Sequence, residues 1–252
     1  MKRHRILWHS NAVISNLPDY KAAIIRHGEK VLGPDFQLDV RGVPKEAAGG
    51  KSVEFMAYEF LNNVNFFDSV TKSAGEGFDA IAIGCSLDPL LDELREMMQV
   101  PVLSLTETGM LTACMLGKRF SIVSYTPQMV NKRFRELVHK YRLTERCAGF
   151  FSFDLTFEEL YQGFRNPAKV IEKFTAAAVE AGNHGSEVIL PGCGALNTVL
   201  VENRISQIES VTVLDVSGTL MKMAELMIVL KEVSGTQISR RSFYERPPEK
   251  IR

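Results

Sequence analysis

Two stretches of this 252-residue chain end an apolar run on a Gly-Cys pair, Phe78-Asp-Ala-Ile-Ala-Ile-Gly-Cys85 and Ser186-Glu-Val-Ile-Leu-Pro-Gly-Cys193. A thiol at the end of a strand is an acid when protonated and a base when ionised. A pair of thiols suits inversion at carbon, because one group must remove a proton from one face while another delivers a proton to the opposite face. The other two cysteines, Cys114 and Cys147, lack this context and read as core thiols. None of the four forms a C-x-x-C pair or has a clustered histidine, so no metal site is expected, and the chemistry calls for no cofactor.

The two Gly-Cys segments sit in a longer repeat. Each is followed by a helical segment and another strand, Pro101-Val-Leu-Ser-Leu-Thr106 in the first copy and Val211-Thr-Val-Leu-Asp215 in the second, at nearly equal separation. Upstream, Ser10-Asn11 precedes Cys85 by a similar distance to that from Ser124-Tyr125 to Cys193. The economical explanation is two similar α/β halves, residues 1–117 and 118–216, related by a pseudo-two-fold axis with the active site in the cleft between them.

The elements that must position these residues follow from periodicity. Apolar runs predict strands near 4–9, 36–41, 78–84, 101–105, 119–124, 148–153, 186–191 and 211–215. Helical periods fill 18–31, 53–74, 89–98, 108–117, 127–140, 156–162, 168–182, 197–206 and 217–233. Asp88-Pro89 reads as a helix cap followed by a first-turn proline, and Pro101 and Pro127 act as further punctuation. The last helix, 217–233, is expected to cross back and complete the first half. Residues 237–252 form a polar, basic tail expected to be a solvated arm, and the loop over 44–52 reads as a lid or a plain connection.

In a parallel sheet, ligands bind beyond the carboxyl ends of the strands. Both thiols lie there, with Ser10, Asn11, Ser124 and Tyr125 as polar walls. A helix N-terminus behind each cysteine is expected to favour its anion. Backbone amides at Ser86, Leu87, Gly194 and Ala195 are available for an enolate-like charge.

The stretch Gly84-Cys85-Ser86-Leu87-Asp88-Pro89, followed by Arg95-Glu96, Val100-Pro101-Val102 and Thr106-Glu107, resembles the first signature of the hydantoin racemase branch of the aspartate/glutamate/hydantoin racemase superfamily. Leu190-Pro191-Gly192-Cys193-Gly194-Ala195-Leu196 is similar to its second. The resemblance implies two flavodoxin-like halves and cofactor-free racemisation or epimerisation. Cys85 and Cys193 take the place of the two catalytic thiols, and Asn11, Ser86, Tyr125 and Gly194 fall where the family holds its substrate's oxygens. It also implies a homo-oligomer. His9-Ser10-Asn11 stands where many members have Asn-Pro-Asn, and Leu87 replaces a common glycine. Neither Gly-Cys loop continues as in aspartate and glutamate racemases, which favours a cyclic substrate such as a 5-substituted hydantoin or allantoin over an acidic amino acid.

Thirty basic residues balance thirty acidic ones, so no net field draws the chain to nucleic acid or a membrane surface. The apolar run Ile6-Leu7-Trp8 is too short for a signal core, and a cytoplasmic enzyme acting on a small molecule is expected. Two alternatives stay open. One is a one-cysteine enzyme of the same fold, of the arylmalonate decarboxylase or maleate isomerase type. The other is a non-catalytic small-molecule binding protein.

Overall fold

In a computed structural model of the chain, residues 3–46, 55–125 and 128–248 are described, those of 128–131 by backbone alone. The loop expected over 44–52 lies largely outside the described residues, as do Pro127 and the end of the tail. The first part of the chain runs β1 (His4–Ser10), α1 (Pro18–Val31), β2 (Phe36–Gly42), α2 (Met56–Lys72), β3 (Ala80–Ile83), α3 (Leu91–Met97), β4 (Val102–Ser104) and α4 (Leu105–Leu116). The second runs β5 (Phe120–Tyr125), α5 (Gln128–Lys140), β6 (Cys147–Phe153), α6 (Phe157–Gln162), α7 (Ala168–Asn183), β7 (Val188–Pro191), α8 (Gly194–Glu202), β8 (Gln207–Ile208), β9 (Val211–Val213) and α9 (Val216–Ser234).

These strands make two sheets, ordered β2-β1-β3-β4 and β6-β5-β7-β9-β8. All pairings are parallel except β8 on β9, so the parallel parts have the same strand order in each sheet. The central strands are apolar on both sides because helices cover both faces. Ile6, Leu7 and Trp8 of β1 are consecutive and all fully buried.

The two helices that follow the last parallel strand of each sheet are exchanged. Helix α9 packs over β1, β3 and β4 of the first sheet, while α4 packs on β5 and β7 of the second, and the two helices pack against each other. Gly109 permits this: a methyl group on it would sit 3.0 Å from Leu190 of β7 and 3.2 Å from Val216 of α9. A second tie joins α1 to the start of α9. His27 Nε2 lies 2.7 Å from Asp215 Oδ2, and Asp215 Oδ1 accepts from Asn197 Nδ2 and Gly218 N, both at 2.9 Å. Burial opposes the Asp215 charge, but His27 and the donors around it hold the carboxyl below its usual range.

Several boundaries differ from expectation, and three of the differences have a visible cause. Helix α8 stops at Glu202, because Arg204 takes a left-handed backbone and the chain turns into the short antiparallel hairpin β8-β9. Helix α3 begins only at Leu91, after Asp88 and Leu90 adopt φ of 46° and 52°. The tail is no free arm. Arg240 Nη1 donates to the carbonyls of Arg95 and Glu96 at 3.0 and 3.1 Å, its Nη2 donates to that of Met98, and the Tyr244 hydroxyl donates to Asp92 Oδ1 at 3.1 Å. A guanidinium here satisfies the carbonyls left open at the end of α3. Among the described residues no helix is long and apolar enough to cross a membrane.

Replacing Arg240 by alanine leaves those carbonyls without their charged donor and is expected to lower stability by about 1–2 kcal/mol. A urea titration reads this directly, and an unchanged midpoint shows that the Arg240 bonds contribute nothing to stability.

Candidate active site

The strand ends β3 and β7 carry the Gly-Cys pairs, and each pair is anchored to the neighbouring strand in the same way. Gly84 N donates to His9 O at 2.9 Å, and Gly192 N donates to Val123 O at 2.8 Å. Gly84 lies against the Trp8 indole so closely that any side chain would overlap the ring. At Gly194 a methyl group would stand 2.8 Å from the Tyr20 hydroxyl, 3.4 Å from Leu105 Cδ1 and 3.6 Å from the Gly84 carbonyl oxygen. The backbones of the two thiol loops therefore abut, with the Tyr20 hydroxyl beside them. Both cysteines are free, and each is partly buried as a residue. Ionising either sulfur acts on both Tyr20 and Tyr125, and the Cys193 charge also raises Cys85.

The surroundings of the two sulfurs differ. Cys193 is the N-cap of α8, and although burial pushes its thiol up, the N–H groups of Leu196 and Ala195 and the Tyr125 hydroxyl favour its anion. No helix starts at Cys85. Burial pushes that thiol up to about 12, only the Leu87 N–H opposes this, and Asp88 and Glu59 add to it. The expectation of a helix N-terminus behind both thiols thus holds for Cys193 alone. The reason lies in Asp88, which caps the remote helix α4 instead of α3: its carboxylate accepts from Thr106 N at 3.0 Å, Glu107 N at 2.8 Å and the Tyr141 hydroxyl at 2.7 Å. Burial raises the Asp88 carboxyl to about 6 against those donors.

The residues expected to form polar walls or to hold the substrate's oxygens divide into two groups. Ser86 is buried with no hydrogen-bond partner for its hydroxyl, while its carbonyl accepts from Thr106 Oγ1 at 2.5 Å. Tyr125 and Gly194 lie beside Cys193 as described above. Asn11 is half-exposed and fixed by α2, its Oδ1 and O accepting from Asn62 Nδ2 at 2.8 and 2.9 Å. Ser10 and Ser124 are committed elsewhere. Ser10 is buried and its Oγ accepts from Ala12 N at 3.3 Å, whereas Ser124 is buried under the second loop and donates to the carbonyls of Tyr125 and Gly192 at 3.1 and 3.4 Å. Short hydroxyls at strand ends satisfy the turning backbone first.

Sequence reasoning missed Tyr20, Glu59 and Asn62, which lie on helices whose inward faces look like ordinary core. Glu59 is buried on α2 and pairs with Arg133 of α5 at 2.7 Å. The signal available was the polar residue itself, since a buried glutamate and a buried asparagine in an otherwise apolar helix face need partners. His9 is no proton carrier: burial lowers its pKa to about 4, and its ring nitrogens are 3.1 Å from Ser10 O and 2.8 Å from Ser69 Oγ. Among the described residues no cluster of three His, Cys, Asp or Glu side chains is placed to hold a metal ion.

Two facing parallel sheets with a thiol at a matching strand end of each define an α/β enzyme of the two-lobed racemase class. Residues 47–224 match the model of the Asp/Glu/hydantoin racemase family, and the chain belongs to that family. It is an isomerase of the racemase type. It is 26% identical over 202 residues to a hydantoin racemase of Pseudomonas sp. (strain NS671), covering 80% of this chain and 78% of that one. It is 28% identical over 193 residues to a hydantoin racemase of Paenarthrobacter aurescens, covering 76% and 78%. The solved structure of an allantoin racemase from Klebsiella pneumoniae superposes with a TM-score of 0.83 at 26% identity, covering 98% of this chain and 95% of that one.

The approach of α1 to the second loop is testable as a coupling. Gly194→Ala alone is expected to cost about 1–3 kcal/mol, as overpacking does. In a Tyr20→Phe background, which removes the atom the new methyl meets, most of that cost should vanish in a double-mutant cycle of thermal or urea unfolding. Additive losses would place the tyrosine hydroxyl elsewhere.

Proposed function

We propose that the chain is a cofactor-independent racemase or epimerase that inverts a carbon acid by a two-thiol mechanism, with Cys85 and Cys193 on opposite faces of one bound molecule. The observation that carries this reading is the abutment of the two Gly-Cys loops, each with a free cysteine. One sulfur, ionised, takes the proton from carbon while the other, protonated, delivers one to the far face. Charge developing on the substrate oxygen meets hydroxyl donors that stay protonated at neutral pH. Burial and the neighbouring sulfurs push Tyr20 and Tyr125 well above the usual phenol range, and the Ser86 hydroxyl is unengaged.

The substrate class is a neutral ring of the 5-substituted hydantoin or allantoin kind, and not a free acidic amino acid. Among the described residues the charged side chains acting on Cys85 are the acids Asp88 and Glu59, and Arg133 is already paired with Glu59 and with Glu136. Beside those two acids a substrate carboxylate would add a third anion. The named relatives, two hydantoin racemases and an allantoin racemase, support the same choice. A cytoplasmic setting keeps both thiols reduced. Exposed Leu111, Met115 and Leu116 on α4 and Leu226 on α9 support a homo-oligomer.

Incubation with one enantiomer of a 5-substituted hydantoin in deuterium oxide should install deuterium at the stereocentre as optical rotation decays. Cys85→Ala and Cys193→Ala should each slow racemisation by about 10³-fold or more. A variant that racemises at the parent rate removes its thiol from the mechanism.

A further inference from the structure

We infer that Tyr141 is a positioning residue for the site read above as that of a racemase, a role that rests on that reading: its hydroxyl, reaching over from the second half, holds Asp88 and through it the turn that carries Cys85. Asp88 N donates to Cys85 O at 3.2 Å and closes that turn, so what fixes Asp88 also fixes the backbone of the thiol. Asp88 and Leu90 take left-handed φ of 46° and 52° on either side of Pro89, a conformation that persists in such residues only where the surroundings impose it. Here the surroundings are donors gathered on one buried carboxylate. Asp88 accepts from Thr106 N at 3.0 Å and Glu107 N at 2.8 Å, both in the first turn of α4, and from the Tyr141 hydroxyl at 2.7 Å. The Thr106 hydroxyl adds a bond of 2.5 Å to the Ser86 carbonyl in the same turn.

Tyr141 is the donor that the other half supplies. It follows α5, is half-buried, and packs against both hydrophobic clusters of the core. Two ion pairs also join α5 to the first half, Arg133 with Glu59 of α2 and Lys140 with Asp92 of α3, each at 2.7 Å. The Lys140 pair is exposed and contributes little, whereas a hydroxyl on a buried carboxylate offsets part of the cost of taking its charge out of water. Burial raises the Asp88 carboxyl to about 6, and the Thr106 N–H, the Tyr141 hydroxyl and the Glu107 N–H oppose that rise. Burial and the Asp88 charge hold Tyr141 far above the usual phenol range, so it stays a donor. Among the described residues the other ionisable groups facing the pair are Cys85 on the turn, Glu107 on α4, Arg95 on α3 and Lys140 at the end of α5, and Arg95 is bound to Glu107. Removing the hydroxyl moves protonation of Asp88 to higher pH, and a protonated carboxyl grips the α4 amides less firmly, which frees the turn.

The test is Tyr141→Phe, with racemisation of one enantiomer of a 5-substituted hydantoin followed against pH, and alkylation of each cysteine by iodoacetamide at neutral pH followed by peptide mass mapping. The acidic limb of the kcat profile should move up by about one pH unit, and kcat at neutral pH should fall about tenfold with KM nearly unchanged. Cys85 should be alkylated about threefold faster or more, and Cys193 at the parent rate. Asp88→Asn should abolish that limb, and adding Tyr141→Phe to it should shift nothing further. Should Asp88→Asn fail to fold, the tyrosine variant decides alone. An unmoved acidic limb, or a Cys85 alkylation rate no different from the parent's, overturns the inference whatever a urea midpoint shows, since the hydroxyl then serves the fold only. Equal acceleration at both cysteines overturns it too, because the loosening is then not confined to the turn. A parent enzyme that racemises no hydantoin defeats the racemase reading itself, and the alkylation rates, which need no substrate, still decide whether Tyr141 holds the Cys85 turn.

Discussion

The close approach of the Gly84 and Gly194 backbones is the constraint on which the site depends. Two thiols act on one carbon only if the carboxyl ends of two sheets meet with nothing between them. That requires residues without side chains at the meeting point, against Trp8 on one side and Tyr20 on the other. A packed interior does not yield by ångströms to admit an added methyl group, so the cleft geometry is set by these glycines as firmly as by the sheets. The exchange of α4 and α9 keeps the approach from opening. Each sheet is covered by the helix that follows the other, and separating the halves would strip both faces.

The scaffold repeats while its chemistry does not. Both halves order their parallel strands identically and anchor their Gly-Cys turn to a neighbouring strand with one N–H bond. Yet one turn runs straight into a helix and the other detours through Asp88-Pro89-Leu90. The detour frees Asp88 to cap α4, and that fixes an acid beside Cys85. A capping interaction made for local structure thereby sets the electrostatics of a thiol, because a carboxylate buried near a sulfur disfavours a second anion whatever else it does.

Much of this was legible in the sequence, and the rest was hidden for physical reasons. The strands could be read because parallel sheets covered on both faces demand continuous apolar runs, and the two runs ending in Gly-Cys made the repeat visible. Asp88-Pro89 carried a capping signal, but sequence order suggests the nearest helix, whereas the carboxylate reaches one seventeen residues on in the chain, at Leu105. Tyr20 and Glu59 sit on amphipathic helices where an inward polar residue is indistinguishable from one at the edge of the stripe until the partner across the cleft is known. The basic tail read as solvated because composition says nothing about the carbonyls at the end of α3 that Arg240 meets.

The acids around Cys85 appear at first to work against catalysis, since a proton acceptor is wanted on each side of the substrate. In the proposed two-thiol mechanism, however, one negative charge passes from one sulfur to the substrate oxygen and on to the other sulfur. What matters is how level that path is, because the highest point along it sets the rate. Burial raises the Cys193 thiol, while the first N–H groups of α8 and the Tyr125 hydroxyl favour an anion there. Burial, Asp88 and Glu59 disfavour an anion on Cys85, so this sulfur holds its proton firmly and is a weak acid.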